Sequence, residues 1–283
     1  MTSTRFSFKK SLMQRTAVAG ALVVLCASAS AALAPFTLTP SGVGLKGAQF
    51  TADNILISDY ATVRFGDGNS FTETGFLAIS GVESGGNILS PGGLNTGTST
   101  STGYGMYIKF TGAGSTSGGN PSTGFTSGTF NSLSYELYGY NGAPATFGFD
   151  ASNTPTQNAS GAVLLANGSL VRGTGTVQTA PANDGAGGFR PSAGAQLTFA
   201  AASGTSGFFI TPAPFYTLAV ASFTNTATQV TRFNTDAGAG FKISQGGGSF
   251  NFITTPVPEP ETYALMLAGL FAVGFVARRR RSV

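Results

Sequence analysis

Residues that could do chemistry are few in this chain of 283 residues, and most of them are carboxylates. Glycoside hydrolysis needs two carboxyl groups that face each other across a sugar. The candidates by residue type are Glu73, Glu83, Glu136 and Asp150. Glu136 lies opposite the apolar residues of its predicted strand, where a solvated position is the simpler interpretation. The chain also has no tryptophan to stack on a sugar, so we predict no catalytic residue.

Nucleophilic and metal chemistry are limited by two residue types. The chain has no histidine, and its single cysteine, Cys26, lies near the N-terminus. These counts exclude Ser-His-Asp catalysis, Cys-His catalysis and ordinary zinc sites. Asp67-Gly68-Asn69 is faintly similar to a calcium loop, but the other carboxylates and the closing glutamate of such loops are missing. A polar hairpin turn is the better interpretation, and we predict no metal and no cofactor.

Two tyrosines are candidates for contact with a carbohydrate. The Phe130–Tyr140 segment alternates, with Leu133 and Leu137 on one face and Tyr138 and Tyr140 on the other. Exposed tyrosine rings would offer flat apolar contacts to a polysaccharide. The alternative is that both rings pack between two sheets, since buried aromatic side chains dominate many protein cores.

The elements that must position these residues are predicted to be strands. Short alternating segments recur between clusters of Gly, Ser and Asn, and no amphipathic helix is found upstream of the C-terminal tail. Asn54–Phe65 and Phe71–Ser80 form a predicted hairpin around Gly66–Asn69. We predict loops or turns at Thr111–Gly128, Asn167-Gly168 and Gly246-Gly247-Gly248. About a dozen such strands favour one all-β domain over 35–255, an antiparallel β-sandwich of jelly-roll type, with two smaller β-domains as the alternative.

The N-terminal segment has the pattern of a secretory signal peptide. Basic residues up to Arg15 precede an apolar stretch from Ala17 to Leu25, and small residues follow up to Ala32. We predict a signal peptide over 1–32. A lipidated Cys26 and an uncleaved anchor are the alternatives.

The net charge of the exported part differs from that of the whole chain. The whole chain has a formal net charge of +4. Between Pro35 and Thr255 there are seven basic and nine acidic residues, which leave −2. The basic surplus therefore belongs to the two ends, and we predict no nucleic-acid partner.

The C-terminal tail combines proline, an apolar run and arginine. Ala264–Ala277 carries no charge and is somewhat shorter than the roughly 20 residues that span a bilayer. With Tyr263 as an interfacial anchor, we predict a transmembrane helix over 263–277. The positive-inside rule places the cluster that follows it in the cytoplasm, namely Arg278, Arg279, Arg280 and Arg281. A buried core helix with a basic end is the alternative.

The order of these parts resembles a PEP-CTERM sorting signal over 256–283. The residues that carry the resemblance are Val257, Pro258, Glu259 and Pro260, the apolar run and the arginine cluster. The resemblance implies export through the inner membrane, a transient membrane anchor and recognition by exosortase, a membrane protease-transpeptidase. It further implies cleavage near Pro258–Pro260 and delivery to the cell surface or extracellular matrix.

A second resemblance concerns the domain itself. Phe50–Asp53, Phe71–Gly75 and Tyr135–Tyr140 are similar to segments of flocculation-associated PEP-CTERM proteins. This resemblance implies a non-catalytic protein that promotes floc or biofilm formation by adhesion or by binding exopolysaccharide. Two alternatives are an extracellular hydrolase that uses Glu73, Glu136 and Asp150, and a self-assembling surface-layer subunit.

Overall fold

The computed structural model describes residues 33–117, 126–179, 189–211, 216–235 and 238–253. Within these ranges the chain forms fifteen strands and three short 3-10 turns, with no α-helix. The 3-10 turns are Pro40–Val43, Asp67–Asn69 and Ala227–Gln229. The strands are β1 Phe36–Leu38, β2 Phe50–Ala52, β3 Asn54–Phe65, β4 Ser70–Ser84, β5 Asn87–Leu89, β6 Tyr104–Ser117, β7 Thr126–Asn141, β8 Phe147–Phe149, β9 Pro155–Gln157, β10 Val163–Thr179, β11 Phe189–Ala201, β12 Phe209–Thr211, β13 Tyr216–Thr224, β14 Val230–Thr235 and β15 Gly238–Ile253.

Eight of the strands form a closed antiparallel barrel. Their order is β13-β11-β10-β7-β6-β4-β3-β15, and β15 pairs in turn with β13 from Leu218↔Ile253 to Thr224↔Gly247. The predicted β-sandwich is therefore wrong, because one sheet closes on itself instead of packing against a second sheet. The prediction of an all-β chain is confirmed over the described residues. Closure also removes the free edges that a sandwich would have to protect.

Alternation along each strand fills the barrel interior. In β3 the buried side chains include Ile55, Ile57, Ala61 and Val63, and the strand has the bounds predicted for it. β3 and β4 pair from Asn54↔Glu83 to Phe65↔Phe71, which confirms the hairpin. Because successive side chains of a strand point to opposite faces, every second residue enters the core.

Three predicted loops lie at least partly in strands. Asn167-Gly168 lies inside β10, paired with β7 on one side and followed by pairs with β11 on the other. Gly246-Gly247-Gly248 lies inside β15, paired with β3 and β13. β6 and β7 extend well into Thr111–Gly128, and the remaining residues 118–125 lie outside the described ranges. Pairing with both neighbours outweighs the local turn preference of these residues.

One end of the barrel is closed by large side chains. β1 pairs with β2 and β12 in a small sheet across the end where β3 begins. Phe36, Phe208 and Tyr104 are fully buried here, and the Phe36 ring meets the Phe252 ring edge-on at 4.9 Å. We call this the plugged end.

The other end carries the β3–β4 turn and faces a small cavity inside the barrel. Small residues occupy much of the nearby wall, among them Gly128, Gly175 and Ala193. We call this the cavity end. The contrast arises from residue size, since both ends are built from the same alternating strands.

The predicted signal peptide over 1–32 and the predicted sorting tail over 256–283 lie outside the described residues, as does the transmembrane helix expected over 263–277. Among the residues that are described, no helix has the length and apolar character needed to cross a membrane.

Candidate functional site

The outer face of β7 presents Glu136 and Tyr138, as the alternation predicts. Tyr135 and Leu137 point into the barrel and are 3% exposed. Tyr138 stands opposite Tyr107 of β6, and the two rings stack with centroids 5.3 Å apart. The Tyr138 hydroxyl donates to Glu136 Oε2 at 2.9 Å. The Tyr138 side chain is thus positioned by the Tyr107 ring on one side and by the Glu136 carboxylate on the other.

Tyr140, the second candidate contact residue, lies in a different environment. Its side chain is 3% exposed, and its hydroxyl accepts a hydrogen bond from the Ala145 backbone N–H at 2.7 Å. This bond ties the segment before β8 to the outer wall of the barrel. The Tyr140 ring consequently has almost no surface to offer a ligand, unlike the half-buried Tyr138.

A polar groove lies next to Tyr138 on the outer face of the barrel. Its volume is ≈ 590 Å³. A row of cross-strand neighbours, Lys109, Glu136 and Asn167, runs across it from β6 to β10. Hydroxyl side chains supply most of the other polar groups, namely Thr111, Ser134, Ser169 and Thr198. We call this surface the outer groove.

The floor of the outer groove depends on one glycine. A Cβ atom at Gly168 would lie 1.9 Å from the Thr198 carbonyl oxygen and 2.5 Å from the Tyr135 ring. Thr198 also receives the Ser169 N–H at 2.9 Å through its hydroxyl. Gly168 therefore lets β10 and β11 approach closely beneath the groove.

The barrel interior contains two carboxyl groups, on Asp59 and Glu73. Asp59 is 2% exposed and follows the inward alternation of β3. Glu73 stands on β4 opposite Val63, which points into the same interior. Burial raises the pKa of Asp59 well above its ordinary value of 3.8, and the neighbouring Glu73 charge raises it further. Burial raises the pKa of Glu73 to about 7.

These carboxyl groups line a cavity of ≈ 60 Å³ at the cavity end. Five phenylalanines contribute to its wall, and the rings of Phe71 and Phe130 meet edge-on at 5.3 Å. Asn225 also lines it and is 4% exposed. Gly246 of β15 makes room for this amide, because a Cβ there would lie 1.8 Å from Asn225 Oδ1. The cavity wall is thus largely apolar, and its polar side chains are Asp59, Glu73, Asn225, Thr116, Thr176 and Ser192.

The three carboxylates considered for a hydrolase lie in three separate places. Glu73 is inside the barrel, and Glu136 is on its outer face. Asp150 lies in the turn between β8 and β9, where its Oδ1 accepts the N–H groups of Ser152 and Thr154 at 2.8 Å each. None of the three faces another, although glycoside hydrolysis requires a facing pair.

Asp59, which lines the same cavity as Glu73, was not selected by the sequence analysis. Its signal is nevertheless present: Asp59 occupies the inward phase of β3 between Ile57 and Ala61. A charged residue at an apolar position of an alternating strand is rarely buried without a function or a partner. Asn225 carried no comparable signal, because it lies just beyond the end of β13.

Asp67-Gly68-Asn69 forms the turn of the β3–β4 hairpin, and Gly68 and Asn69 have φ angles of 64° and 63°. Across the described ranges, no three His, Cys, Asp or Glu side chains form a group that could hold a metal ion.

The sorting-signal residues Val257–Pro260 and Arg278–Arg281 lie outside the described ranges, so the comparison with known families carries the evidence for them. The family model described as the PEP-CTERM protein-sorting motif matches residues 256–281. No curated protein and no solved structure was found to match the chain. The match supports an exported substrate of exosortase that is sorted to the cell surface.

Proposed function

We propose that this exosortase-sorted protein is a non-catalytic component of the extracellular polysaccharide matrix, and that it promotes floc or biofilm formation by binding polysaccharide. The observation that carries the proposal is the outer groove, a polar groove with a volume of ≈ 590 Å³ next to Tyr138. Enclosed sites suit small molecules, whereas a polymer needs an open surface along which its chain can continue.

The chemistry of the outer groove suits sugar hydroxyl groups. Lys109 donates hydrogen bonds, Glu136 accepts them, and Asn167 does both. The Tyr138 ring, stacked on Tyr107, leaves a partly exposed edge and face beside these groups. A sugar ring has an apolar C–H face and a polar rim, so a tyrosine beside a polar groove matches both. The near-neutral charge of the domain suits a neutral polymer.

The proposal that the protein is not an enzyme is supported by the separation of the carboxylates. The outer groove contains one of them, Glu136, whose cross-strand neighbour is Lys109. Asp59 and Glu73 line a cavity of ≈ 60 Å³, which is too small for a polysaccharide. A polymer in the groove would therefore meet no second carboxylate across the scissile bond.

The binding test uses two asparagines as a matched pair. Asn167 in the outer groove and Asn234 on β14 are both exposed strand residues. We expect Tyr138→Ala and Asn167→Ala to weaken retention by the host exopolysaccharide in affinity electrophoresis by about tenfold each, which corresponds to roughly 1.4 kcal/mol. Asn234→Ala should leave retention unchanged. Equal retention of all three variants would exclude the outer groove as the polysaccharide site.

The route to the matrix forms a further part of the proposal. We propose that the tail anchors the chain in the inner membrane with Arg278–Arg281 in the cytoplasm until exosortase acts. Replacing Pro258, Glu259 and Pro260 together by alanine should leave a full-length protein in the inner membrane, whereas the natural chain reaches the surface with a lower mass. Intact-mass measurement of fractionated cells distinguishes the two. Identical masses and locations would contradict processing at this motif.

A further inference from the structure

The barrel interior holds acidic groups without a basic partner. Asp59 and Glu73 line the cavity, while none of the described residues around it is lysine or arginine. Buried charges in proteins are normally paired. The cations on the neighbouring strands point outward: Arg64 donates to the Ser152 carbonyl oxygen at 2.7 Å, and Lys242 donates to Asn153 Oδ1 at 3.3 Å. The positive partner of the interior is thus missing from the cavity wall.

Two oxygen atoms at the cavity are also without a hydrogen-bond partner. They are Asp59 Oδ1 and Asn225 Oδ1, on side chains that are 2% and 4% exposed. The orientation of the Asn225 amide is set by its Nδ2, which donates to the Pro191 carbonyl oxygen at 3.2 Å. Leaving a buried polar atom unpaired costs about 1–3 kcal/mol. The Asn225 amide oxygen accepts, and Asp59 Oδ1 accepts in its ionised form, so a donor in the cavity would satisfy both atoms.

The rest of the cavity wall is apolar apart from three hydroxyl side chains, and the cavity has room for a few heavy atoms. Its volume of ≈ 60 Å³ is several times the roughly 10–15 Å³ that one water molecule needs. The wall includes Phe71, Phe130, Phe223 and Phe241. A second cavity of ≈ 30 Å³ lies deeper and shares Glu73, Phe130, Ala193 and Phe223 with the first. The space thus continues inward along an apolar path.

We propose that the barrel interior is a binding site for a small organic amine, which is held as its ammonium ion. The ammonium group would donate to Asp59, Glu73 and Asn225 Oδ1, and its hydrocarbon part would pack against the phenylalanine rings. The ammonium group then supplies hydrogen-bond donors for these oxygens and a positive charge beside the two carboxyl groups. Ring faces near the ammonium add a cation–π attraction. A metal ion fits less well, because most of the wall is apolar and no three His, Cys, Asp or Glu side chains of the described residues form a group that could hold one.

The test measures binding of n-butylamine and 1-butanol by isothermal titration calorimetry, with the protein purified as its host exports it. At pH 7.5 we expect the amine to bind at least about tenfold more tightly than the alcohol. Asp59→Asn and Glu73→Gln should each weaken amine binding by about tenfold or more. Glu83→Gln, which removes a carboxylate at the plugged end of the barrel, is the matched control and should change the affinity less than twofold.

A second readout is proton release by the unsubstituted protein. Asp59 and Glu73 are the titratable groups among the described residues that line the cavity. A bound ammonium ion favours their ionised forms, so binding should release protons, and the heat should differ between buffers of different ionisation enthalpy. Asp59→Asn is checked for folding by circular dichroism; if it fails to fold, Glu73→Gln and proton release decide.

Three results would overturn the proposal. The first is equal affinity for the amine and the alcohol. The second is unchanged amine binding in folded Asp59→Asn or Glu73→Gln, or no proton release. The third is calcium chloride binding that displaces the amine, since this would assign the oxygens to a metal ion instead.

Discussion

The two ends of the barrel are built from the same strands but differ in how closely their side chains are packed. At the plugged end, Phe36, Phe208 and Tyr104 are fully buried, and the small sheet of β1, β2 and β12 covers them. At the cavity end, small residues such as Gly128 and Ala193 leave space, and the polar side chains that line this space include Asp59, Glu73 and Asn225. Close packing stabilises a fold, whereas a ligand site requires groups that the fold itself does not satisfy. The proposed binding site and the fully buried rings thus lie at opposite ends of one barrel.

The largest expected effect is the loss of a ring at the plugged end. Phe36→Ala should lower the free energy of unfolding by about 3–5 kcal/mol, because the side chain is fully buried and packs on Phe252. Phe71→Ala, at the cavity end, should cost only about 2 kcal/mol, since Phe71 already borders a cavity. Urea denaturation measures both values. Equal losses would mean that the two ends contribute alike to stability.

The next effect is a dependence of stability on pH that originates at the cavity end. The folded-state pKa of Glu73 is about 7, above its ordinary value of 4.5. The folded chain therefore binds more protons than the unfolded chain between these values, and stability falls as the pH rises from about 4.5 to above 7. The loss from Glu73 is on the order of 3 kcal/mol.

Glu73→Gln should remove most of this loss, which thermal unfolding between pH 4.5 and pH 8.5 would measure. Glu136→Gln, on the outer face, should leave the pH profile as it is. A natural chain whose stability rises over this interval would contradict a buried, neutral carboxyl at Glu73.

The smallest effect distinguishes two adjacent glycines of β15. Gly246→Ala places a Cβ 1.8 Å from Asn225 Oδ1, so the amide must move, at a cost of about 1–3 kcal/mol. Gly247→Ala meets its nearest atom, the Thr224 carbonyl oxygen, at 3.8 Å and should change stability by less than about 0.5 kcal/mol. Thermal unfolding of both variants measures the difference. Equal stabilities would show that Asn225 is not held against β15.

Much of the strand structure could be predicted from the sequence, but its closure could not. Asn54–Phe65 was predicted with its observed bounds, because alternation is a local signal. Asn167-Gly168 and Gly246-Gly247-Gly248 were predicted to leave the sheet, since turn preference is also local, yet pairing on both sides keeps them in strands. A sandwich and a barrel share the same alternation. The pairing of β13 with β15 decides between them, and no short motif encodes it.

In the candidate sites, too, some features follow from local alternation and others depend on how the chain folds. Tyr138 was predicted on the outer face because its strand alternates, and it lies there. The same alternation placed Tyr140 with Tyr138 as a candidate contact residue. It could not predict the hydrogen bond between Tyr140 and Ala145, because that bond depends on the path of the chain after β7. Asp59 and Glu73 lie on the paired strands β3 and β4, whereas Asn225 reaches the same cavity only because the barrel closes.

The contact between Phe36 and Phe252 shows that the two ends of the described chain lie close together. These residues lie near the two ends of the described chain, next to Leu33 and Ile253, so the chain enters and leaves the barrel at the plugged end. Any linkage made on the C-terminal side of Ile253 therefore holds the barrel by its plugged end. The cavity mouth and the β3–β4 turn lie at the opposite end of the barrel. Attachment through the tail and access to the cavity would therefore use different ends of the protein.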